Sequence, residues 1–368
     1  MPTTSLEGIR MAWVDRDRTP ALFAIATSVT SSIISFVVGN VFLTMSKGAL
    51  LAWVGAVSGV VAVVSFGAVY LVRRGRRRSQ RAFFIVSAFD QKYYIAAFVQ
   101  QLHNALDRAN IDLVLKVPDR DYDAAAQSHH LERVLDRKGE YLGGVIFASE
   151  VRELHDDLLE FCRKSRLPVV FTDLEPFATA EYPENSVYVG YDTRQLGELA
   201  GEWLAKHLRG VRRPRVLIVA SREHRGRQEE CKRVLERELK DVQVIVDDTC
   251  AFSRALSYDS VMNHVAKLES RRQCLHAIFC SNDEMALGAV DALATPSSAT
   301  KDTVVIAVDG VAEARLLIDG GTSPFRATVV QNPHELALSV VDHLVKMHRG
   351  RRPPKRKILK PVIHEGGR

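Results

Sequence analysis

Apolar positions along this chain follow two different regimes. Between residues 20 and 72 they are nearly continuous: stretches 20–46 and 48–72 carry no charged side chain and are parted by Lys47 alone. Each exceeds the roughly 20 residues a helix needs to cross a bilayer core, so the pattern predicts a transmembrane helical hairpin. From about residue 82 onward the runs are short and alternate with amphipathic stretches. Strands are expected at 83–86, 111–115, 144–147, 168–171, 187–189, 216–219, 242–246, 277–280, 304–308 and 327–330, with a last one at 358–363. Helices are expected at 96–109, 194–208, 228–239, 257–268, 284–293 and 334–347. Such alternation predicts parallel sheets covered on both faces, and the two successive sets of strands predict two doubly wound lobes.

Charge decides how the hairpin is oriented. Arg73, Arg74, Arg76, Arg77, Arg78 and Arg81 follow the second span, Arg10, Arg16 and Arg18 precede the first, and the turn offers only Lys47. Positive flanks stay cytoplasmic, so both termini and the whole soluble region are expected on the cytoplasmic side of the inner membrane. A secretory signal peptide suits the segment poorly, because Glu7, Asp15 and Asp17 lie among the leading arginines and a second span follows directly. The net charge of +6 is largely this membrane flank. No recognition module follows the arginine run, so nucleic acid is not an expected partner. The expected organisation is a cytoplasmic segment (1–19), the hairpin (20–72), a basic linker (73–81) and a two-lobed domain (82–368).

The chemistry-bearing residues gather where strands end. Ser87, Asp90 and Gln91 follow the first strand; Asp173, Asn282, Asp283, Asp309 and Gln331 follow later ones. Taken singly, Asn282 reads equally as a helix cap and Asp309-Gly310 as a turn. Their recurrence in both lobes favours a polar ligand held in the cleft at the carboxyl ends of the strands. Enzyme motifs are missing: Val189-Gly190-Tyr191-Asp192 lacks dinucleotide-loop spacing, and neither GxxxxGK[ST] nor GxSxG occurs. His129, His130 and His224 have no ligand-spaced partners and are expected on the surface, and the five irregularly spaced cysteines suggest neither a disulfide framework nor a zinc site. A binding module without cofactor or metal is the expected class.

Asn282-Asp283-Glu284-Met285-Ala286-Leu287-Gly288-Ala289 closely resembles a signature of type I periplasmic binding proteins, above all ribose-type sugar receptors and the effector domains of LacI-like repressors. The likeness extends to Val86-Ser87 through Tyr93-Tyr94, to Pro168 through Asp173, to Gly190-Tyr191-Asp192 with Leu196-Gly197 and Ala200-Gly201, and to the strand ends before Gly310 and Asn332. It implies two Rossmann-like lobes joined by a three-strand hinge. Lobe 1 would span about 82–191 and 332–357, and lobe 2 about 192–331 and 358–368. Ligand binding would close the lobes.

The resemblance also implies contacts. Tyr93 and Tyr94, with Phe252 from the second lobe, match aromatic rings that stack on a sugar face. Gln91, Asp173, Asn282, Asp309 and Gln331 match its polar contacts, and Arg227 the cleft arginine. Two departures stand out: Leu174 and Glu175 follow Asp173 where ribose-type receptors usually have arginine, and Gln91-Lys92 replaces a common asparagine and proline. The ligand need not be ribose, so an altered sugar, a cyclitol, another small polyol and a pocket that no longer binds sugar all remain open. Two functions follow: a membrane-tethered ligand sensor acting on a membrane signalling partner, or the solute receptor of an ABC-type permease.

Overall fold

The computed structural model describes residues 80–86, 93–118, 123–148 and 151–366, with Ser65 and Gly67. The chain divides into two compact units, Met1–Arg78 and Ser79–Arg368. The expected hairpin therefore lies outside the described residues apart from Ser65 and Gly67. Among the described residues no helix is long and apolar enough to cross a membrane.

Within the second unit, the short apolar runs become strands, the central ones buried on both faces and the edge strands Asp112–Lys116 and Gln243–Asp247 partly exposed. Five of them open one sheet: β1 (Arg81–Ile85), β2 (Asp112–Lys116), β3 (Tyr141–Ala148), β4 (Val169–Asp173) and β5 (Ser186–Tyr191). Five more open a second: β6 (Arg215–Val219), β7 (Gln243–Asp247), β8 (Ala277–Cys280), β9 (Val304–Asp309) and β10 (Phe325–Val330). The chain ends with β11 (Arg356–Leu359) and β12 (Val362–Glu365). The strand orders are β11-β5-β4-β3-β1-β2 and β12-β10-β9-β8-β6-β7. Every ladder is parallel except β10 with β12. All eight residues of β3 are buried, as a central parallel strand requires.

The lobe around the first sheet carries α1 (Tyr93–Arg108), α2 (Ala124–Asp136), α3 (His155–Ser165) and α9 (Pro333–His348). The second lobe carries α4 (Thr193–His207), α5 (Arg225–Glu238), α6 (Arg254–Ser270), α7 (Asp283–Leu293) and α8 (Ala312–Gly320). Helices α2, α3 and α8 were not among the sequence expectations. Each buries a narrow stripe: Gln127, Leu131 and Val134 in α2, Leu158, Phe161, Cys162 and Ser165 in α3, Ala314 and Ile318 in α8. So few apolar positions leave the helical period faint in a polar stretch.

The chain passes between the sheets three times, and side chains brace the passages. After β5, Asp192 caps α4 by accepting from the Arg194 N–H at 2.9 Å. After β10, Asn332 caps α9 by accepting from the N–H groups of His334 and Glu335. The Tyr191 hydroxyl accepts from the Asn332 N–H at 2.8 Å, tying these two passages together. The third lies between Leu359 and Val362, so the single last strand expected at 358–363 is two strands, one in each sheet. Lys360-Pro361 interrupts it, because proline cannot donate to a ladder.

Small residues set how closely the helices of the second lobe approach. A Cβ on Gly197 in α4 would collide with the Arg227 carbonyl in α5, and one on Gly288 in α7 with the Arg254 carbonyl in α6. Gly197→Ala should therefore push α5 away, costing about 2–4 kcal/mol in chemical denaturation, an overpacking effect against rigid backbone. Gly139→Ala, with nothing within 4 Å of its Cβ, should stay within about 0.5 kcal/mol of the parent.

Candidate functional site

Strand ends and helix starts from both lobes meet in a buried cluster. Asp309 closes β9, and its Oδ1 accepts from Gln331 Nε2 at 2.7 Å, just beyond the end of β10. The same oxygen lies 3.8 Å from Arg227 Nη1 in the first turn of α5. Arg227 also donates to the Ser281 carbonyl at 2.6 Å, at the end of β8. One residue on, Asn282 caps α7: its Oδ1 accepts from the Met285 N–H at 3.0 Å and its Nδ2 donates to Glu284 Oε2 at 2.8 Å. Arg227, Asn282, Asp283, Glu284, Asp309 and Gln331 are all buried.

Two contacts cross from lobe to lobe. Tyr93 opens α1, and its N–H donates to Glu284 Oε1 at 2.8 Å. A carboxylate of the second lobe thereby satisfies a free N–H at the start of a helix in the first, where the helix dipole also favours it. At the other contact, His224 Nε2 stands 3.3 Å from Asp173 Oδ2 at the end of β4. The Phe252 ring meets His224 edge-on, centroids 5.1 Å apart. His224 is only 6% exposed, which corrects the expectation that it is a surface residue. Histidine spacing gave no hint of it, because its partners Asp173 and Phe252 are remote in sequence.

Of the residues named from the sequence, Tyr94, Asp173, Arg227, Phe252, Asn282, Asp309 and Gln331 lie in this cluster. Tyr93 joins it through its backbone while its side chain leaves the residue 55% exposed. Gln91 lies outside the described residues. Glu284 and His224 are the additions, the first hidden inside the motif that Asn282 opens. Three members have positive φ: Asp173 at 70°, Phe252 at 56° and Asp309 at 123°. Non-glycine residues hold such angles at a cost of about 1–3 kcal/mol, and they concentrate where side-chain placement matters more than stability.

Electrostatics in the cluster are dominated by burial. Burial drives the Asp309 carboxyl well above the ordinary range; Arg227 opposes the shift, while Glu284 and Asp283 add to it. Burial likewise raises the Tyr94 phenol, helped by Asp309, Tyr191 and Asp173 and countered by Arg227. Asp283 is pushed up to about 7 by burial although Thr328 Oγ1 donates to it at 2.7 Å and the Val311 N–H at 2.7 Å. Several buried polar atoms have no hydrogen-bond partner among the described residues, including Tyr94 Oη, His224 Nδ1 and Arg227 Nε. A buried donor or acceptor left this way costs about 1–3 kcal/mol, so the cluster is suited to a ligand rich in hydroxyl groups. Among the described residues no group of histidine, cysteine and carboxylate side chains could hold a metal ion.

A family model described as "Periplasmic binding protein domain" matches residues 82–352. The D-allose-binding periplasmic protein of Escherichia coli (strain K12) is 38% identical over 66 residues, which cover 18% of this chain and 20% of that protein. Among solved structures, a periplasmic solute binding protein of an ABC transporter from Actinobacillus succinogenes 130z, with bound D-allose, superposes with a TM-score of 0.67 at 17% identity, covering 78% of this chain and 97% of that one. An ABC transporter solute binding protein from Agrobacterium vitis with bound allitol gives 0.64 at 17% identity, covering 78% and 95%. At such identity these structures establish the fold.

The matches overturn the expectation of a soluble domain on the cytoplasmic side, since the family model and the Escherichia coli and Actinobacillus succinogenes proteins are described as periplasmic. The inference from arginine flanks fails for a physical reason. The positive-inside bias orients a chain only through spans that are in place, and the expected spans lie outside the described residues.

The Asp283–Thr328 pair yields a prediction with a definite sign. A carboxyl whose folded pKa is raised loses stability as pH climbs from its unfolded value through the folded one, so Asp283 weakens the fold between about pH 4 and 7. Thr328→Val removes a donor that favours the charged form and raises that folded value further. The variant should lose about 1 kcal/mol at pH 5 and about 2–3 kcal/mol at pH 8, read from urea midpoints at each pH.

Proposed function

The chain belongs to the family of periplasmic binding protein domains, and from that premise we propose that it captures a small neutral sugar or polyol by closing its lobes over the buried cluster. The observation that carries this reading is the set of buried, unpartnered polar atoms beside the Arg227–Asp309 pair. Hydroxyl groups both donate and accept, so one polyol can serve the Arg227 N–H, the Tyr94 hydroxyl and the Asp309 carboxyl together. Phe252 and Tyr94 supply apolar area for the C–H face of such a molecule. The crystal structures with bound D-allose and allitol support the class of ligand, because their proteins share this fold.

Capture rather than catalysis is the role. The cluster offers no nucleophile held by a base; its acids are committed to Gln331, Asn282 and Thr328. Ligand affinity supplies the free energy for closure through contacts made only when both lobes are engaged. The hinge would be the three passages around Asp192, Asn332 and Lys360-Pro361, where a few residues absorb the rotation. The domains proposed from the sequence would then move as two rigid lobes. The partner is an ABC-type permease, and the apolar segments 20–46 and 48–72 would keep the receptor beside it. Of the sensor reading, only the cytoplasmic placement is withdrawn.

Tyr94→Phe tests the site with little risk to the fold. The variant removes a buried hydroxyl that has no partner among the described residues, so stability without ligand should be unchanged or higher by up to about 1 kcal/mol. The thermal shift given by saturating D-allose or allitol should shrink, with affinity weakened about tenfold. Asp309→Ala and Asn282→Ala should remain folded by circular dichroism and lose the shift altogether. A full ligand response in all three would refute the site.

A further inference from the structure

We infer that His224 is a specificity-determining ligand contact, held by Asp173 so that its Nδ1 accepts a hydroxyl group of the captured polyol. This rests on the proposed function and deepens it. The geometry assigns the tautomer. Asp173 Oδ2, as a carboxylate oxygen, only accepts, so the His224 Nε2 that stands 3.3 Å from it carries the proton. A neutral imidazole protonated at Nε2 must present Nδ1 as an acceptor. That atom is buried and has no hydrogen-bond partner among the described residues.

The surroundings allow the ring little freedom. Phe252 packs edge-on against it with planes at 90°, and Asp173 holds it from β4. The charged groups facing it are Asp173 on the opposite lobe, Arg227 one turn along on α5 and Glu223 just before it. Burial favours the neutral ring and Arg227 reinforces this, against the pull of Asp173 and Glu223, so its pKa lies below the ordinary histidine value. The acceptor therefore persists at neutral pH.

Two consequences follow for selectivity. An acceptor at this point, beside Asp173 and Asp309, rewards a ligand hydroxyl and disfavours a carboxylate or phosphate, which cannot donate. Protonation at low pH turns Nδ1 into a donor, so the site exchanges its acceptor for a positive charge and affinity for neutral polyols should fall. The device does not stand on the charge alone: it needs the lobes together, because Asp173 ends a strand of the first lobe and His224 precedes a helix of the second.

The experiment titrates D-allose and allitol into wild type, His224→Gln and His224→Asn at pH 7.5 and 5.5, and records imidazole 15N spectra of the ligand-free protein. The wild type should show the Nε2–H tautomer and bind progressively more weakly as the pH falls through the lowered titration range of His224. His224→Gln keeps an N–H for Asp173 but no acceptor at the Nδ1 position. It should bind at least tenfold more weakly at pH 7.5 and lose the pH dependence, while His224→Asn, whose amide oxygen can occupy that position, should lie nearer wild type. An Nδ1–H tautomer, or His224→Gln binding within twofold of wild type at both pH values, would overturn the role of His224 alone. Failure of the wild type to bind either polyol would overturn the proposed function and this inference with it.

Discussion

One buried guanidinium organises the second lobe's face of the cleft. Arg227 is almost wholly out of water, and a charge in that position is tolerated only with close partners. Its partners come from two strand ends, the Ser281 carbonyl after β8 and the Asp309 carboxylate at the end of β9. Both depend on where α5 lies, and α5 can lie there because Gly197 on α4 has no side chain to meet the Arg227 carbonyl. A packing detail between two helices thus fixes the position of the central cation. Around it, Asp283, Glu284 and Asp309 are buried together; burial and their mutual repulsion raise the Asp309 and Asp283 carboxyls, against the opposing pull of Arg227, Gln331 and Thr328.

The same arrangement links fold to movement. Helix starts do much of the work at the lobe boundary: Asp192 and Asn332 cap the helices that follow two of the passages, and Glu284 satisfies the first N–H of α1 across the cleft. Each such contact is local and breakable, unlike the buried sheets behind it. Separation of the lobes would give up the Tyr93–Glu284 and His224–Asp173 contacts but leave both cores intact. The proposed closure would use this arrangement, with parallel sheets moving as units and polar contacts between the lobes made and broken.

The sequence disclosed the scaffold far better than the site's wiring. Short runs rich in valine, isoleucine and phenylalanine mark doubly buried strands plainly, as at 304–308 and 327–330, because nothing else in a polar chain needs them. Helices α2, α3 and α8 escaped, since a helix with two to four buried positions has almost no period to detect. The Lys360-Pro361 break was visible as residues, but its meaning, a strand in each sheet, depends on tertiary placement. Asp309, Asn282 and Gln331 could be named because they follow strands. The partnership of His224 with Asp173, 51 positions away by number, could not, since only the closing of two lobes brings them together. The arginine flanks could not orient the chain, because they carry a direction only if 20–72 span a membrane, and that segment lies outside the described residues apart from Ser65 and Gly67.

The proposed selection of a neutral polyol rests on a carboxyl-rich cleft in which Arg227 is the one buried guanidinium among the described residues. Calorimetric competition between D-allose and its aldonate, D-allonate, puts that claim to the test most directly, because the two differ chiefly in one carboxylate group and in ring closure, with allitol as the neutral open-chain control. D-Allose and allitol should each bind at least tenfold more tightly than D-allonate. Equal or tighter binding of D-allonate would mean that Arg227 is free to take an anion, and the charge arrangement described for the cleft would be wrong.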